Sequence, residues 1–469
     1  MYLRQSLIPG LGHISAILAD EASGTAAVVD PRRDVDIYLD EARARGLSIS
    51  HVFETHLHND YVSGAAELAA VTGAVHVIGS AAGLATPHLG VVDGSTIDAG
   101  ALRFSAIETP GHTPEHVSYA VTDLGRADDP ELLFTGGSLL VGSVGRTDLL
   151  GAEHARPYAR AMFASLHDKL LHQHDHVGVL PTHGAGSLCS RSISAAPSST
   201  IGQERRDDPL LRIADVEAFA DALLAGQPAY PAYFARMRSI NQAGPRPIGA
   251  IPGRRPLPAA RAQELLAGEH LLVDVRRGRE FAAAHVPGAL SIPMDDSFGT
   301  WLGWVVDFDR PLVLLLRRPE DWNAALRQAL RIGFEHVTGH LEGGVEAWRD
   351  AGLPLESAGR IDIAGLHGLL AARGGGGGGG ATPLLIDVRQ ADEFASGHVP
   401  GSLHLMAGDL PQRLAELPRD REIVTICASG FRSSIAASLL QRAGFDHVTS
   451  VSGGVPGWQA AGYPVEMGA

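Results

Sequence analysis

The chain has 469 residues, 45% of them apolar and 19% charged, with 38 basic against 53 acidic side chains and a formal net charge of −15. That length implies roughly two to four domains, each able to bury its own core. The acidic balance and the lack of any Lys/Arg block exclude a nucleic-acid role, which needs a basic face, and no apolar run reaches membrane-spanning length.

Two cysteines, Cys189 and Cys427, cannot build a disulfide framework, so a reducing, cytoplasmic location is expected. Pro9, Gly10 and Gly12 interrupt the N-terminal apolar run, which argues against a secretory signal. In chain order, Ala26–Asp30 reads as a strand, 34–45 as a helix after an Asp-Pro turn, Gly64–Thr72 as a short helix and Ala74–Ile78 as a strand. Arg156–His174 reads as an amphipathic helix, 187–208 as a Ser-rich surface loop, Leu210–Ala225 as one helix and Phe234–Arg238 as part of another. Gly244–Leu257, with four prolines and three glycines, reads as linker. Short strands and helices in alternation predict a layered α/β sandwich for the first half.

Candidate chemistry sits at the strand ends. Thr55-His56-Leu57-His58-Asn59-Asp60-Tyr61 follows the strand-like His51–Glu54. Side chains at i and i+2 of extended backbone share a side, so His56, His58 and Asp60 can converge on Zn²⁺ or Fe²⁺. Histidines also follow strand-like runs at Thr109-Pro110-Gly111-His112-Thr113 and Leu180-Pro181-Thr182-His183-Gly184, and Leu133–Gly137 is a strand running into glycines. His116 reads as a supporting or exposed residue; His51, His76, His172, His174 and His176 read as surface or packing residues, and Cys189 as a buried thiol.

These motifs, in this order, resemble the metallo-β-lactamase superfamily, whose αββα sandwich is the implied fold. Gly145-Arg146-Thr147-Asp148 makes the persulfide dioxygenases the nearest subfamily. By that resemblance iron would be held by His56, His112 and an aspartate whose position is taken by Gly137, and Tyr61 stands where the family has a further histidine. Arg146 would contact the carboxylate of a glutathione-type persulfide. The open outcomes are Fe²⁺ on two histidines, recruitment of His58, Asp60 or His183 into a zinc-like site, or a domain that keeps the fold alone.

The second half is an internal repeat. Leu272-Val273-Asp274-Val275-Arg276 recurs as Leu385-Ile386-Asp387-Val388-Arg389, His285-Val286-Pro287-Gly288 as His398-Val399-Pro400-Gly401, and the Gly343-Gly344-Val345 run ending at Trp348 as Gly453-Gly454-Val455 ending at Trp458. Two α/β modules, 259–357 and 360–467, therefore follow a domain of 1–245 and a linker of 246–258. The seven glycines Gly374–Gly380 read as an insertion without function.

In the second copy, Cys427-Ala428-Ser429-Gly430-Phe431-Arg432-Ser433 joins a strand to a helix. Such a loop surrounds the thiol with N–H groups and the helix's positive end, which favours thiolate and binds anions. Gly430 permits the curvature, and Arg432 can help hold an anion. Together with the repeated motifs, this loop resembles the rhodanese sulfurtransferases, with Cys427 at the persulfide-carrying position and Cys427, Gly430, Arg432 and Ser433 as the catalytic set. The four-residue spacing from Cys427 to Arg432 is shorter than in phosphatases of the related fold and favours sulfane sulfur over phosphate. Seventeen positions separate Cys427 from Gly444, and the same step back from Gly333 lands on Leu316, with Asp321 in place of Arg432. The first copy therefore lacks a nucleophile and reads as a docking or spacing module. The implied function is oxidation of a low-molecular-weight persulfide to sulfite, joined to sulfur transfer with thiosulfate or sulfite. Two alternatives stand beside it: a sulfurtransferase with a degenerate first domain, and a zinc hydrolase of glyoxalase II type. The sequence leaves the oligomeric state open, a homo-oligomer included.

Overall fold

The computed structural model describes residues 1–191, 194–374 and 383–468. Contacts divide the chain into two compact units, Met1–Ile251 with Leu330–Gly333, and Pro252–Ala329 with Phe334–Ala469.

The first unit holds two six-stranded sheets. One runs in the order Tyr2–Ile8, His13–Asp20, Thr25–Val29, Ser48–Phe53, Val75–Gly79, Leu89–Val91; the other runs Ser199–Thr200, Gly178–Pro181, Leu132–Gly136, Val117–Asp123, Leu102–Glu108, Thr96–Ala99. Strand alternation explains the layering. Ala16, Leu18, Ala27, Val29 and Phe53 meet Phe104, Val117, Tyr119 and Phe134 between the sheets. Their neighbours Ile17, Ala19, Ala26, Val28 and Val52 face the helices Asp36–Arg45 and Ala65–Thr72 on one outside. Leu133 and Val179 face Met162, Leu166 and Phe219 on the other. Four layers, αββα, result. Phe53 stacks on Phe104 with ring centroids 4.1 Å apart, joining the two sheets, and its complete burial contributes about 1.5–3 kcal/mol.

Three local expectations are corrected. The Ser-rich stretch contains a helix, Ile201–Asp207, begun where the Thr200 side chain accepts the Gln203 N–H. The expected single helix 210–225 is a short turn, Leu210–Arg212, and then a helix, Val216–Leu224, because the Asp215 carboxylate accepts the Glu217 and Ala218 N–H groups and starts a new helix there. Pro256–Leu257, read as linker, is an edge strand paired with Val337–Leu341, a position that tolerates proline.

In the second unit two five-stranded sheets have the same order. The first is Pro256–Leu257, Val337–Leu341, Leu312–Leu315, Leu271–Asp274, Leu290–Ser291; the second is Gly359–Ile361, Val448–Val451, Ile423–Ile426, Leu384–Asp387, Leu403–His404. All pairs are parallel, which suits strands such as 312–315 that are buried along their whole length. The shared motifs are structural anchors. Arg276 and Arg389 clamp Asp274 and Asp387, while His285 and His398 donate from Nδ1 to Phe281 O and Phe394 O. Trp348 and Trp458 donate to Pro354 O and Pro464 O. From residue 375 the glycine run lies outside the described residues. The α/β architecture is the one expected: an αββα sandwich and two α/β modules of one design.

Candidate functional site

The loop after Ser48–Phe53 carries His56, His58 and Asp60, and it is held by Asp30, a residue with left-handed backbone (φ 49°) at the end of the neighbouring strand. The Asp30 carboxylate accepts the Thr55 N–H at 2.8 Å and the Thr55 hydroxyl at 2.9 Å, and also accepts Thr182 Oγ1. The same oxygen that accepts the Thr55 N–H also meets His58 Nε2 at 3.3 Å. Burial alone would raise the Asp30 carboxyl; His58 and these hydrogen bonds outweigh it and hold the group below its ordinary value.

Hydrogen bonding fixes the tautomers. Because the Thr55 hydroxyl donates to Asp30, it accepts from His56 Nδ1 at 2.8 Å, which leaves the His56 Nε2 lone pair inward. His112 Nδ1 donates to Arg146 O at 2.7 Å, and His112 Nε2 is buried without a hydrogen bond. His183 Nε2 lies 3.5 Å from His56 Nε2, while its Nδ1 faces Asp60 Oδ2 at 3.3 Å. Burial, with His58, His112, His116 and His183 close by, holds His56 well below its ordinary pKa; burial and His183 bring His112 down to about 3. Asp60 sits at about 2, burial opposing and His183 favouring its charge. Neutral imidazoles with inward lone pairs beside a carboxylate are a metal-ready donor set. The donor atoms of His56, His58 and His183 lie within 4.8 Å of one another, as do those of His112, His183 and Cys189.

The family's carboxylate does not fit here. A Cβ at Gly137 would lie 2.2 Å from His112 Cδ2 and 2.7 Å from its Nε2. Tyr61 fills the other altered position as a packing group, with its ring stacked between those of His13 and His58. The residues present suit a metal held by a set different from the family's. His116 is buried and fully used, accepting the Gly137 N–H on Nε2 and bonding Thr109 through Nδ1, so it supports the loop and is not a ligand.

Arg146 departs from expectation. Only 2% exposed, its guanidinium holds Asp148 in two hydrogen bonds and donates to Leu188 O and Pro228 O. Four of its five N–H groups are thus engaged within the protein. Cys189, read from the sequence as a buried thiol within a Ser-rich surface loop, is fully buried. Sequence reasoning missed Asp30 and His13; the only signal for the first was the Asp-Pro turn.

At the other site Cys427 ends the central strand Ile423–Ile426 and is fully buried. The Gly430 N–H points at its Sγ from 3.1 Å, and Gly430, at φ 109°, turns the chain into the helix Phe431–Arg442. The Cys427 carbonyl accepts the Val455 N–H. A Cβ on Gly454 would come within 2.4 Å of that carbonyl oxygen, which accounts for the Gly-Gly-Val motif. Arg432 is paired with Glu393 at 2.5 and 2.7 Å, so its approach to an anion requires that pair to open or turn. Ser433 is corrected to a packing role, its buried hydroxyl spent on Val451 O.

In the first repeat Leu315 pairs with Asp274 just as Ile426 pairs with Asp387, so Leu316 occupies the thiol position. This repeat braces the helix after the Cys427 loop. Ser291 bonds Ser434 and Ser438, and Trp301 meets Phe431 edge-on.

Fold and sites together define a metallo-β-lactamase-type domain with two rhodanese-like modules, one of which keeps its thiol. Residues 9–174 match the metallo-beta-lactamase superfamily, and 258–351 with 376–461 match the rhodanese-like domain. A sulfurtransferase from Allochromatium vinosum is 38% identical over 82 residues, 18% of this chain and 77% of that protein. The mitochondrial persulfide dioxygenase ETHE1 of Mus musculus is 27% identical over 217 residues, 45% of this chain and 76% of that protein. A crystal structure of a metallo-beta-lactamase from Staphylococcus aureus superposes with a TM-score of 0.64 at 29% identity, covering 72% of this chain and 98% of that one. The chain belongs to the metallo-beta-lactamase superfamily and carries two rhodanese-like domains.

Proposed function

We propose that the chain is a two-site enzyme of sulfane-sulfur metabolism. In residues 360–467, Cys427 takes the outer sulfur of thiosulfate, releasing sulfite, and passes it from the resulting persulfide to an acceptor thiol. In residues 1–245, a low-molecular-weight persulfide of glutathione type is oxidised, RSSH + O₂ + H₂O giving RSH and sulfite. Residues 259–357 dock against the transfer module and carry no chemistry.

The observation that carries the reading is the thiol of Cys427 at the end of a central parallel strand, with the Gly430 N–H aimed at its sulfur from 3.1 Å. That N–H, the rest of the loop and the following helix favour a thiolate and then an anionic persulfide. Four residues between Cys427 and Arg432 leave a ring sized for sulfur. In the first domain His56 and His112 present lone pairs fixed by Thr55 and by Arg146 O. A metal bound there, Fe²⁺ on this reading, would supply the oxygen chemistry; the chain's own part is to hold neutral imidazoles in place.

The test is thiosulfate-to-thiol transfer by the full chain. Cys427→Ser should abolish turnover and leave the fold intact. Unchanged transfer would overturn the assignment.

A further inference from the structure

The missing carboxylate at Gly137 leaves the metal site one anionic donor short, and Cys189 lies beside it. The ligand atoms of His112, His183 and Cys189 lie within 4.8 Å of one another, and the three residues are at most 1% exposed. His112 Nε2 is buried and without a hydrogen bond. Around one four-coordinate ion, with bonds of about 2.0–2.1 Å to nitrogen and about 2.3 Å to sulfur, donors sit roughly 3.3–3.7 Å apart, so small side-chain movements close the set.

We infer that Cys189 is a metal ligand, its thiolate taking the place of the absent carboxylate in a centre shared with His112 and His183. Imidazole and thiolate together suit Zn²⁺ or Fe²⁺. Binding as thiolate releases one proton and leaves the oxidation state of sulfur and metal unchanged.

The backbone is arranged for this. Arg146 O accepts from His112 Nδ1, and the Arg146 N–H donates to Cys189 O at 2.8 Å. The Arg146 guanidinium donates to Leu188 O, and Ser187 Oγ accepts the Cys189 N–H at 3.1 Å. One buried arginine thus holds both the His112 ring and the backbone that carries Cys189. With no side chain at 137, the volume beside His112 stays clear of a second anion, and a carboxylate placed there would contact His112 Nε2.

The inference rests on the reading that this domain binds a metal, and the experiment separates the two. Full-length protein is loaded anaerobically with Co²⁺, and metal content, affinity and near-ultraviolet absorption are measured for the wild type, Cys189→Ser, Cys189→Asp and Cys427→Ser. The expected result is a thiolate-to-cobalt charge-transfer band in the wild type, kept in Cys427→Ser and lost in Cys189→Ser. The serine variant should also bind cobalt about 100-fold or more weakly, beyond the roughly 10–100-fold typical of an outer-shell change. Cys189→Asp, which restores a carboxylate, should recover affinity without the band. Cobalt bound equally by wild type and Cys189→Ser with no sulfur band overturns the inference and leaves the metal reading standing. Folded wild type that binds no cobalt, iron or zinc overturns both.

Discussion

Gly137→Asp restores the residue that the resemblance calls for, and the geometry says that it should harm the metal-free protein. A Cβ at 137 meets His112 Cδ2 at 2.2 Å, whereas carbon atoms settle about 3.5–4.0 Å apart. His112 must therefore shift by more than about 1 Å, and the shift breaks its 2.7 Å hydrogen bond to Arg146 O. Overpacking costs about 1–3 kcal/mol and the lost hydrogen bond about 0.5–1.5 kcal/mol. A total of about 2–4 kcal/mol lowers the melting temperature of a domain this size by roughly 5–15 °C. The assay is calorimetry of metal-free wild type and variant, repeated after anaerobic loading with Fe²⁺. The gap should narrow when metal is bound, because the new carboxylate then has a cation to face. A metal-free variant that melts with the wild type would refute the placement of His112 against Gly137.

Three further outcomes follow from individual side chains. Arg146→Lys keeps the charge and loses the forked hydrogen bonds to Asp148 and the Leu188 and Pro228 carbonyls; a loss of about 2–3 kcal/mol is expected in urea titration. Leu316→Cys on a Cys427→Ser background should restore no sulfur transfer, since Asp321, which accepts the Arg318 N–H, stands where an arginine is needed; recovered turnover would contradict this. Burial raises the Asp208 carboxyl from 3.8 to about 6. A raised folded-state pKa contributes stability that is complete below the unfolded value and is lost as pH rises through about 6, so wild type should weaken over that window in denaturant titrations and Asp208→Asn should not.

What was legible in the chain was whatever repeats or alternates locally. Ala26–Asp30 was readable as a strand, and the two sets of Asp-Val-Arg, His-Val-Pro-Gly and Gly-Gly-Val motifs foretold twin α/β modules. The His56 and His112 loops were readable because strand ends present side chains in short motifs. Long-range hydrogen bonding was not readable. Arg146 looked like a substrate residue because its local motif is unchanged, yet its partners at Leu188 and Pro228 are distant in sequence. Asp30, which anchors the first metal loop, acts on Thr55, His58 and Thr182 from another strand. Cys189 was readable as a buried thiol, but its place beside His112 and His183 was not, because the chain returns there through a backbone hydrogen bond from Arg146. The split at Asp215 was a cap that continuous apolar spacing masked.

The most direct test of the account is oxygen uptake with glutathione persulfide, using iron-loaded Cys427→Ser protein so that the transfer loop is silent. The account predicts catalytic uptake with sulfite as product, abolished by His112→Ala. No uptake from folded, iron-containing protein would contradict it and leave a sulfurtransferase joined to a metal domain of other use.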